Sequence, residues 1–549
     1  MSQGRHIHVA SRFPTPIIWI WPQGRGQSGG QAGGPHTCSL FLSEPDGLHV
    51  EILTSTADFG LAFKFRASWR GEEIGCGFQP CKMEIQLPDV PVALIFSFLD
   101  AFSLLQVSRV NKCWNRIADS DHLWRTLCLK RWGFCDLTSK RLGTQTWKQF
   151  FLRQIKEERQ MALAQPDDFI CKEVTADLGV FEEVAYLSAN GFTMDGQKKS
   201  VVCVVSSKHT LYTWDVQEGA MMWSSPAQES SIVYLATIPQ MHLAITLDIE
   251  GTIKVWNCQD RDALAAFVMP WTCASMEAHF SKDGSFLMVG NSEGDIYTFT
   301  VPELKNISKV NAFQHSVDLL HCSPDKKWIF AGGIHQHIFS KVFFTDSLLK
   351  PSEDSIPLSL EFPCASCYRA CWTPRMESRI TLMFRKETTK TTGFATFDLA
   401  TESAEGQTVI RAHQIGSFLL PVHVQSPLWM GASAENLIVF SSGPYLFLFT
   451  INGLLLQQFE HHQETIVDLW VDSLHVLTTS LDDSLHVYMW EEEGRYPYLK
   501  SCCHLGHMQH DQPLPSRYIS KAICDNVSIA HVVSKRGKFS NLVMYSLHM

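Results

Sequence analysis

A recurring strand ending constrains this chain more than any other feature in it. From about Asp168 to Met549, apolar segments close on TLYTWDV (210–216), TIKVWN (252–257), DIYTFTV (295–301), FSKVFFT (339–345), FATFDLA (394–400), LFLFTIN (446–452), SLHVYMW (484–490) and LVMYSLH (542–548). The aromatic anchors are Trp214, Trp256, Phe299, Phe343, Phe397, Phe449, Tyr488 and Tyr545. Successive anchors are spaced by 42, 43 and 44 residues, and then by 54, 52, 39 and 57. A period of this length marks an array of one supersecondary unit, each copy burying its apolar face against its neighbours. FSKDGSFLMVGNSEGDIYTF (280–299) and CSPDKKWIFAGG (322–333) share an internal order. A strand leads to a Ser-x-Asp turn, an apolar strand, small residues and another strand. Short strands between Gly, Asp, Asn and Ser turns predict an all-β fold. Four-stranded units arranged radially leave only short, protected edges. The longer spacings predict longer loops in some units. Eight endings predict eight units, or seven if one ending belongs to an insertion. The strand near Tyr545 is placed to pair with the first segment after the linker and close the ring.

Ahead of the array lies Leu87 to Trp124, LPDVPVALIFSFLDAFSLLQVSRVNKCWNRIADSDHLW. Val92, Ile95, Phe96 and Leu99 fall at i, i+3, i+4 and i+7, one apolar stripe on a helix. Asp89 with Pro91 just inside is a start signal. Asp100 breaks the run. A second segment carries Leu104, Leu105 and Val107, and a third sets Val110, Trp114 and Ile117 at i, i+4 and i+7. A fourth opens at Ser120 and Asp121, which suit an N-cap, and is expected to end at Gly133. A unit this small makes a poor core alone, so Leu87, Pro88, Ile95 and Leu99 read as surface waiting for a partner.

These residues resemble the F-box pattern. The Leu-Pro opening, Ile-x-x-Phe-Leu-Asp, Leu104-Leu105, Val107 to Val110, Trp114 with Ile117-Ala118, and Leu123-Trp124 fall in its order and spacing. One departure is Val90, which stands where many members carry an acidic residue. The array resembles a degenerate WD-repeat β-propeller. Its Trp-Asp pair survives once, at Trp214-Asp215, and His315, His413 and His462 are candidates for the histidines of its glycine–histidine openings. Together 83–549 resembles an F-box and WD-repeat protein. MEIQLPDVP and WRTLCLKRWGFCDL point to the small subgroup that includes the family's member twelve. The resemblance implies the substrate receptor of an SCF-type ubiquitin ligase. Its F-box would dock on a Skp-type adaptor, and through it a cullin–RING ligase, by Leu87, Pro88, Ile95, Leu99, Leu104, Val110 and Trp114, although Trp114 and Ile117 serve equally well as internal core. The propeller would hold an unknown protein substrate. The alternative is a non-catalytic scaffold that binds the adaptor and delivers nothing.

The expected organisation is multidomain, α plus all-β. It comprises a flexible or poorly defined extension (1–82), a small helical F-box (83–133), a helical linker (134–167) and a seven- or eight-bladed propeller (168–549). The extension holds the glycine-rich QGRGQSGGQAGGP, and Met83 is a candidate alternative start. In the linker, Trp147, Phe150, Phe151 and Ile155 line one helical side with Lys and Glu opposite, and Pro166 ends it. That helix serves either to join the two domains or to complete the F-box core.

Charge and composition narrow the function. Lys and Arg number 7 against 6 Asp and Glu in 1–82 and 12 against 8 in 83–166, leaving 27 against 42 in the remainder. So acidic a propeller argues against nucleic acid. No run of about 18 apolar residues offers a membrane span, and IIWIW (17–21) is too short for a signal-peptide core. The 17 cysteines lack regular spacing, which predicts reduced thiols and a cytoplasmic or nuclear location.

No enzyme is expected, since a phosphate loop and His-Glu-x-x-His are missing from the sequence and its Gly-x-Ser-x-Gly matches, at 26–30 and 290–294, lie in the glycine-rich stretch and in a turn of the array, not at a nucleophile elbow. No cofactor or metal is expected either. Cys364, Cys367 and Cys371 supply half of a zinc spacing, and Cys502, His504, His507 and His510 lie in a loop-like stretch. Cys128 and Cys135 read as packing residues. Arg261, Arg369, Arg375, Arg379, Arg385 and Arg411 are available to read a phosphorylated segment, but the sequence does not say that they converge. An unmodified or basic substrate fits the acidic propeller.

Overall fold

The computed structural model describes residues 17–21, 37–43, 48–57, 60–69, 89–132, 145–174, 177–189 and 199–547. Within the last span it leaves out 282, 336, 351–356, 375–377, 387, 405–406, 422–423, 434–435, 492–495, 507–516 and 536–538. Two compact units divide the chain, Met1–Leu87 and Pro88–Met549.

The first unit carries β1 (Ile17–Trp21), β2 (Thr37–Ser43), β3 (Leu48–Ala57) and β4 (Gly60–Trp69). They form an antiparallel sheet in that order. These strands lie within the stretch expected to be a flexible or poorly defined extension. The alternation in Leu48–Trp69 supports a long ladder, with Leu48 opposite Trp69 and Ala57 opposite Gly60. The glycine-rich stretch and Met83 lie outside the described residues.

The second unit opens with four short helices, α1 (Asp89–Phe96), α2 (Ala101–Val107), α3 (Lys112–Ala118) and α4 (Asp121–Arg131). Asp100 breaks the apolar run because it caps α2, accepting from the Ser103 N–H at 2.7 Å. Asn111 caps α3 in the same way, 2.8 Å from the Trp114 N–H. Val110 therefore lies before the cap, in a turn, and not on the helical face expected of it. Ser120 occupies the N-cap of α4 but makes no side-chain capping bond. Asp121 instead accepts from the Trp147 N–H of the next helix at 3.2 Å. The fourth helix ends at Arg131, and Gly133 lies outside the described residues.

Helix α5 (Trp147–Leu163) starts with a capping box between Thr146 and Gln149. It buries Trp147, Phe150, Phe151 and Met161, with Trp124 meeting Phe151 edge-on at 5.4 Å. Ile155 is only half-buried. Glu157 and Glu158, expected on the wet side, are each 5% exposed. The cause is a polar seam. Arg131 of α4 donates to Glu158 at 2.6 and 3.1 Å, and the Trp132 indole N–H also donates to it. Gln154, fully buried, accepts from the Asn526 side-chain amide of the propeller at 2.8 Å. The helix thus serves both readings at once, completing the helical core and gripping the ring.

The ring has eight antiparallel four-stranded sheets, which settles the choice between seven and eight. Blades 1 to 7 span 181–224, 232–268, 273–311, 319–365, 367–419, 429–459 and 466–506. Blade 8 combines 517–547 with Phe169–Val174, and Tyr545 pairs with Cys171 as the ring closes. Every aromatic anchor lies on the third strand of its blade and is buried. Trp256 of blade 2 packs with Leu187, Val201 and Cys203 of blade 1, so the anchors fill the space between blades. The irregular spacings have local causes. Helix α6 (Thr345–Leu349) and its loop come after Phe343, and a long hairpin, Thr392–Ala404 against Gln407–Leu419, surrounds Phe397.

His462 occupies its expected place, bonding Ser484 and Thr478 at 2.7 Å each. His413 does not; it sits on an outer strand opposite Asp398. His315 is exposed beside the His335 ring. Turn geometry also restricts substitution. Gly294 has φ +83°, and a Cβ there would stand 2.0 Å from the Phe313 carbonyl oxygen. Gly294→Ala is expected to lower stability by about 2 kcal/mol or more, read as the shift of a denaturant midpoint. An unchanged midpoint would show that the turn gives way.

Candidate functional site

The helical module leaves several large apolar side chains uncovered. Val92, Phe96, Leu104, Val107 and Ile117 are buried inside it. Asp89 and Arg116 join α1 to α3 at 2.5 Å, the Asn115 amide donates to the Ser108 carbonyl at 3.1 Å, and Phe96 meets Trp114 edge-on at 5.5 Å. With the interior so filled, Leu94, Phe98, Phe102 and Val110 are left 46%, 66%, 67% and 56% exposed, and Leu129, Leu152 and Leu163 of α4 and α5 are exposed as well.

The residues expected to contact an adaptor divide accordingly. Val110 is exposed. Ile95, Leu99 and Trp114 are half-buried. Leu104 is 1% exposed and is corrected to a core residue, because its side chain points into the packing that holds α2. Leu87 and Pro88 lie outside the described residues. Leu94, Phe98 and Phe102 were missed. Their spacing of four was a readable signal, but the stronger stripe through Val92 and Phe96 proved to be the covered one.

The second candidate surface is the inner wall of the ring, made by the first strand of each blade. In blades 1, 2, 3, 5, 7 and 8 this strand carries a β-bulge near its start. The bulges bring Glu183, Tyr234, Ser275, Arg369, Asp468 and Lys521 to equivalent positions. Neighbouring inner strands are stitched by side chains. The Ser275 hydroxyl donates to the Val317 carbonyl at 2.6 Å, the Trp372 indole to the His321 carbonyl at 3.1 Å, and Asp468 accepts from the Ala522 N–H at 3.1 Å. Lys521 forms an ion pair with Glu183. Arg369 lies over the Trp429 ring at 4.1 Å.

Among the described residues, the candidate arginines do not form a phosphate-reading cluster. Arg369 is on an inner strand, Arg379 is bidentate to Asp398 at 2.6 and 2.8 Å, Arg385 donates to the Lys390 carbonyl at 3.3 Å, and Arg411 pairs with Glu402 on the long hairpin. Arg261 is exposed on blade 2, and Arg375 lies outside the described residues. The cysteine clusters are equally plain. Burial pushes the thiols of Cys367 and Cys371 up to about 12, so both stay protonated. His504 stacks on His486 at 4.3 Å, while His507 and His510 lie outside the described residues. Among the described residues, no three His, Cys, Asp or Glu side chains gather for a metal ion.

Several buried groups of the ring tie its stability to pH. Burial holds His279 and His321 down at about 4, helped by Lys326 and Arg369 respectively, and His486 down at about 3, helped by the surrounding histidines. Burial pushes the Glu277 carboxyl up to about 7. On acidification below about 6.5, the unfolded chain protonates three imidazoles that the folded ring keeps neutral, which destabilises the fold. Glu277 acts oppositely, because the folded state takes its proton first. The histidines outnumber it, so the melting temperature is expected to fall between about pH 7 and pH 5. A flat profile would show that the imidazoles titrate freely.

Comparison with known proteins bears on both surfaces. A family model described as F-box-like matches residues 85–130, the segment that carries Leu94, Phe98, Phe102 and Val110. The human F-box/WD repeat-containing protein 12 is 58% identical over 85% of this chain and all of its own length. The chain belongs to the F-box/WD-repeat family. The mouse F-box/WD repeat-containing protein 15 is 43% identical over 85% of this chain and all of its own. The mouse F-box only protein 16 is 31% identical over 13% of this chain and 22% of its own, a match of short extent. Membership of the F-box/WD-repeat family, in the subgroup of member twelve, accords with four F-box helices ahead of an eight-bladed ring.

Proposed function

We propose that this F-box/WD-repeat chain is the substrate-recognition subunit of an SCF-type E3 ubiquitin ligase. The observation that carries this is the exposure of Leu94, Phe98, Phe102 and Val110 around α1 and α2, the most exposed apolar side chains of the F-box helices, beside a packed Val92, Phe96, Leu104 and Val107. Exposed apolar surface of this kind marks a protein contact. A Skp-type adaptor covers it and links the chain to a cullin, with Leu87, Pro88, Ile95, Leu99 and Trp114 extending the contact. The propeller binds the protein substrate. The chain itself supplies no nucleophile, and it accelerates ubiquitin transfer by proximity while other subunits perform the chemistry. Helix α5 supports the reading, since the Arg131–Glu158 and Gln154–Asn526 bonds fix the distance between the two grips. The large reduced-thiol content suits the cytoplasm or nucleus.

Reconstitution tests the proposal. With adaptor, cullin and ubiquitin enzymes, the chain is expected to promote ubiquitin transfer to a captured protein. Adaptor binding without any transfer would make it a scaffold instead, and failure to bind the adaptor would remove both readings.

A further inference from the structure

Blade 2 carries an apolar platform on the rim of the ring opposite α5. Helix α5 bonds to Asn526, in the turn between the first two strands of blade 8. Successive turns of an antiparallel blade lie at alternate ends. The turn between the second and third strands of blade 2, Ile249 to Gly251, therefore belongs to the other rim. Around it Val233, Ile249, Val268 and Trp271 are 37%, 62%, 66% and 51% exposed. The backbone gathers them. The Ile249 N–H donates to the Ser231 carbonyl at 2.9 Å, which seats the turn beside the start of the first strand, where Val233 lies in a bulge. Thr252 pairs with Val268, and the Met269 N–H donates to the Gly251 carbonyl at 2.9 Å. A Cβ on Gly251 would stand 3.4 Å from the Trp271 carbonyl oxygen. One turn, both ends of the blade and the linker to blade 3 thus present large apolar side chains together. Such a grouping marks a protein contact, and Trp is enriched among the residues that dominate binding.

Charge says what covers it. The platform borders a cleft of about 410 Å³ between the 226–230 linker and blade 2. Glu229, Asp248, Glu250 and Asp262 line the cleft against Lys254 and Arg261. Asp248 and Glu250 stand on either side of Ile249 in the chain. Of the two cations, Lys254 already donates to the Gln228 side chain. An apolar, aromatic surface thus adjoins a net negative one. A segment with a large apolar residue beside arginine or lysine satisfies both. Its apolar residue leaves water against Ile249 and Trp271, and its guanidinium or ammonium meets the carboxylates or the indole face. An acidic or phosphorylated segment would be repelled.

We propose that this rim of blade 2 binds a segment of the captured protein in which a large apolar residue adjoins arginine or lysine. This rests on the substrate-receptor reading and names the class of segment read.

Panning a phage-displayed library of random peptides on the full chain tests it. Enriched sequences are expected to join Phe, Trp, Leu or Ile to Arg or Lys in excess over the input. An enriched peptide should bind about tenfold or more weakly to Ile249→Ser with Trp271→Ala. To Glu229→Gln with Glu250→Gln it should bind about threefold or more weakly, with a smaller dependence on salt. Leu454→Ser, an exposed position in the turn after the third strand of blade 6 and so on the rim of α5, should bind as the parent does. Melting temperatures near the parent's establish that the variants fold, and the carboxamide variant decides alone if the apolar one does not. Selection without the apolar–basic pair, no enrichment, parent-like binding by a folded double variant, or an equal loss in Leu454→Ser overturns the proposal. Adaptor capture measured on the same preparations separates the two ideas, because its loss in the parent chain removes the receptor reading and its retention beside failed selection removes only this one.

Discussion

Replacing Phe98 and Phe102 together by Asp is expected to weaken capture by a Skp-type adaptor by roughly two to four orders of magnitude. Each ring is about two-thirds exposed in the free chain. Covering such a side chain is worth roughly 1.5–3 kcal/mol, and a carboxylate in its place adds the cost of desolvating a charge. Neither ring contributes to the core, so the melting temperature of the chain should stay within a degree or two of the parent. Leu104→Ala supplies the contrast. It removes a fully buried side chain and should cost about 2–5 kcal/mol of module stability. Titration calorimetry with purified adaptor reads the first effect and denaturant unfolding the second. Undiminished affinity in the double variant would mean that the adaptor, if it binds at all, uses another face.

The second large effect is expected at Glu158. Its carboxylate receives two bonds from Arg131 and one from the Trp132 indole in a nearly dry setting. Glu158→Ala should destabilise the junction of helices and ring by about 2–4 kcal/mol, because the charge on Arg131 loses its nearest counter-ion at a half-buried site. Glu158→Gln keeps an acceptor and should lose less. Hydrogen exchange across α4 and α5 gives the readout, with faster exchange expected there in Glu158→Ala while the blades far from the seam stay protected. Equal exchange in the two variants would show that the seam does not hold the helices. Ubiquitin transfer should also decline in Glu158→Ala at unchanged adaptor affinity, since a loosened linker no longer sets the distance between grips.

Much of the architecture can be read from the residues in order. The third-strand aromatics recur because each blade must fill the same wedge against its neighbour, so their period exposes the ring directly. The four short helices are legible through Asp100 and Asn111, whose side chains cap α2 and α3. The face proposed for the adaptor is less legible. Val92, Ile95, Phe96 and Leu99 form the better stripe, and in the fold that stripe turns largely inward, leaving Leu94, Phe98 and Phe102 outside. An apolar periodicity says that a face will be covered, but the covering can be intramolecular or supplied by another chain. Leu104 and Val110 show the same ambiguity with opposite outcomes.

The linear order of side chains thus determined the repeating sheets, the helices, the sign of the charge and the kind of partnership to expect, because periods and caps act within a few residues of one another. Only the folded ring decided that Glu157 and Glu158 belong to a buried seam and that Arg369, Arg379, Arg385 and Arg411 are each engaged separately. Those outcomes join residues tens to hundreds of positions apart, and burial and pairing at that range depend on which strands become neighbours.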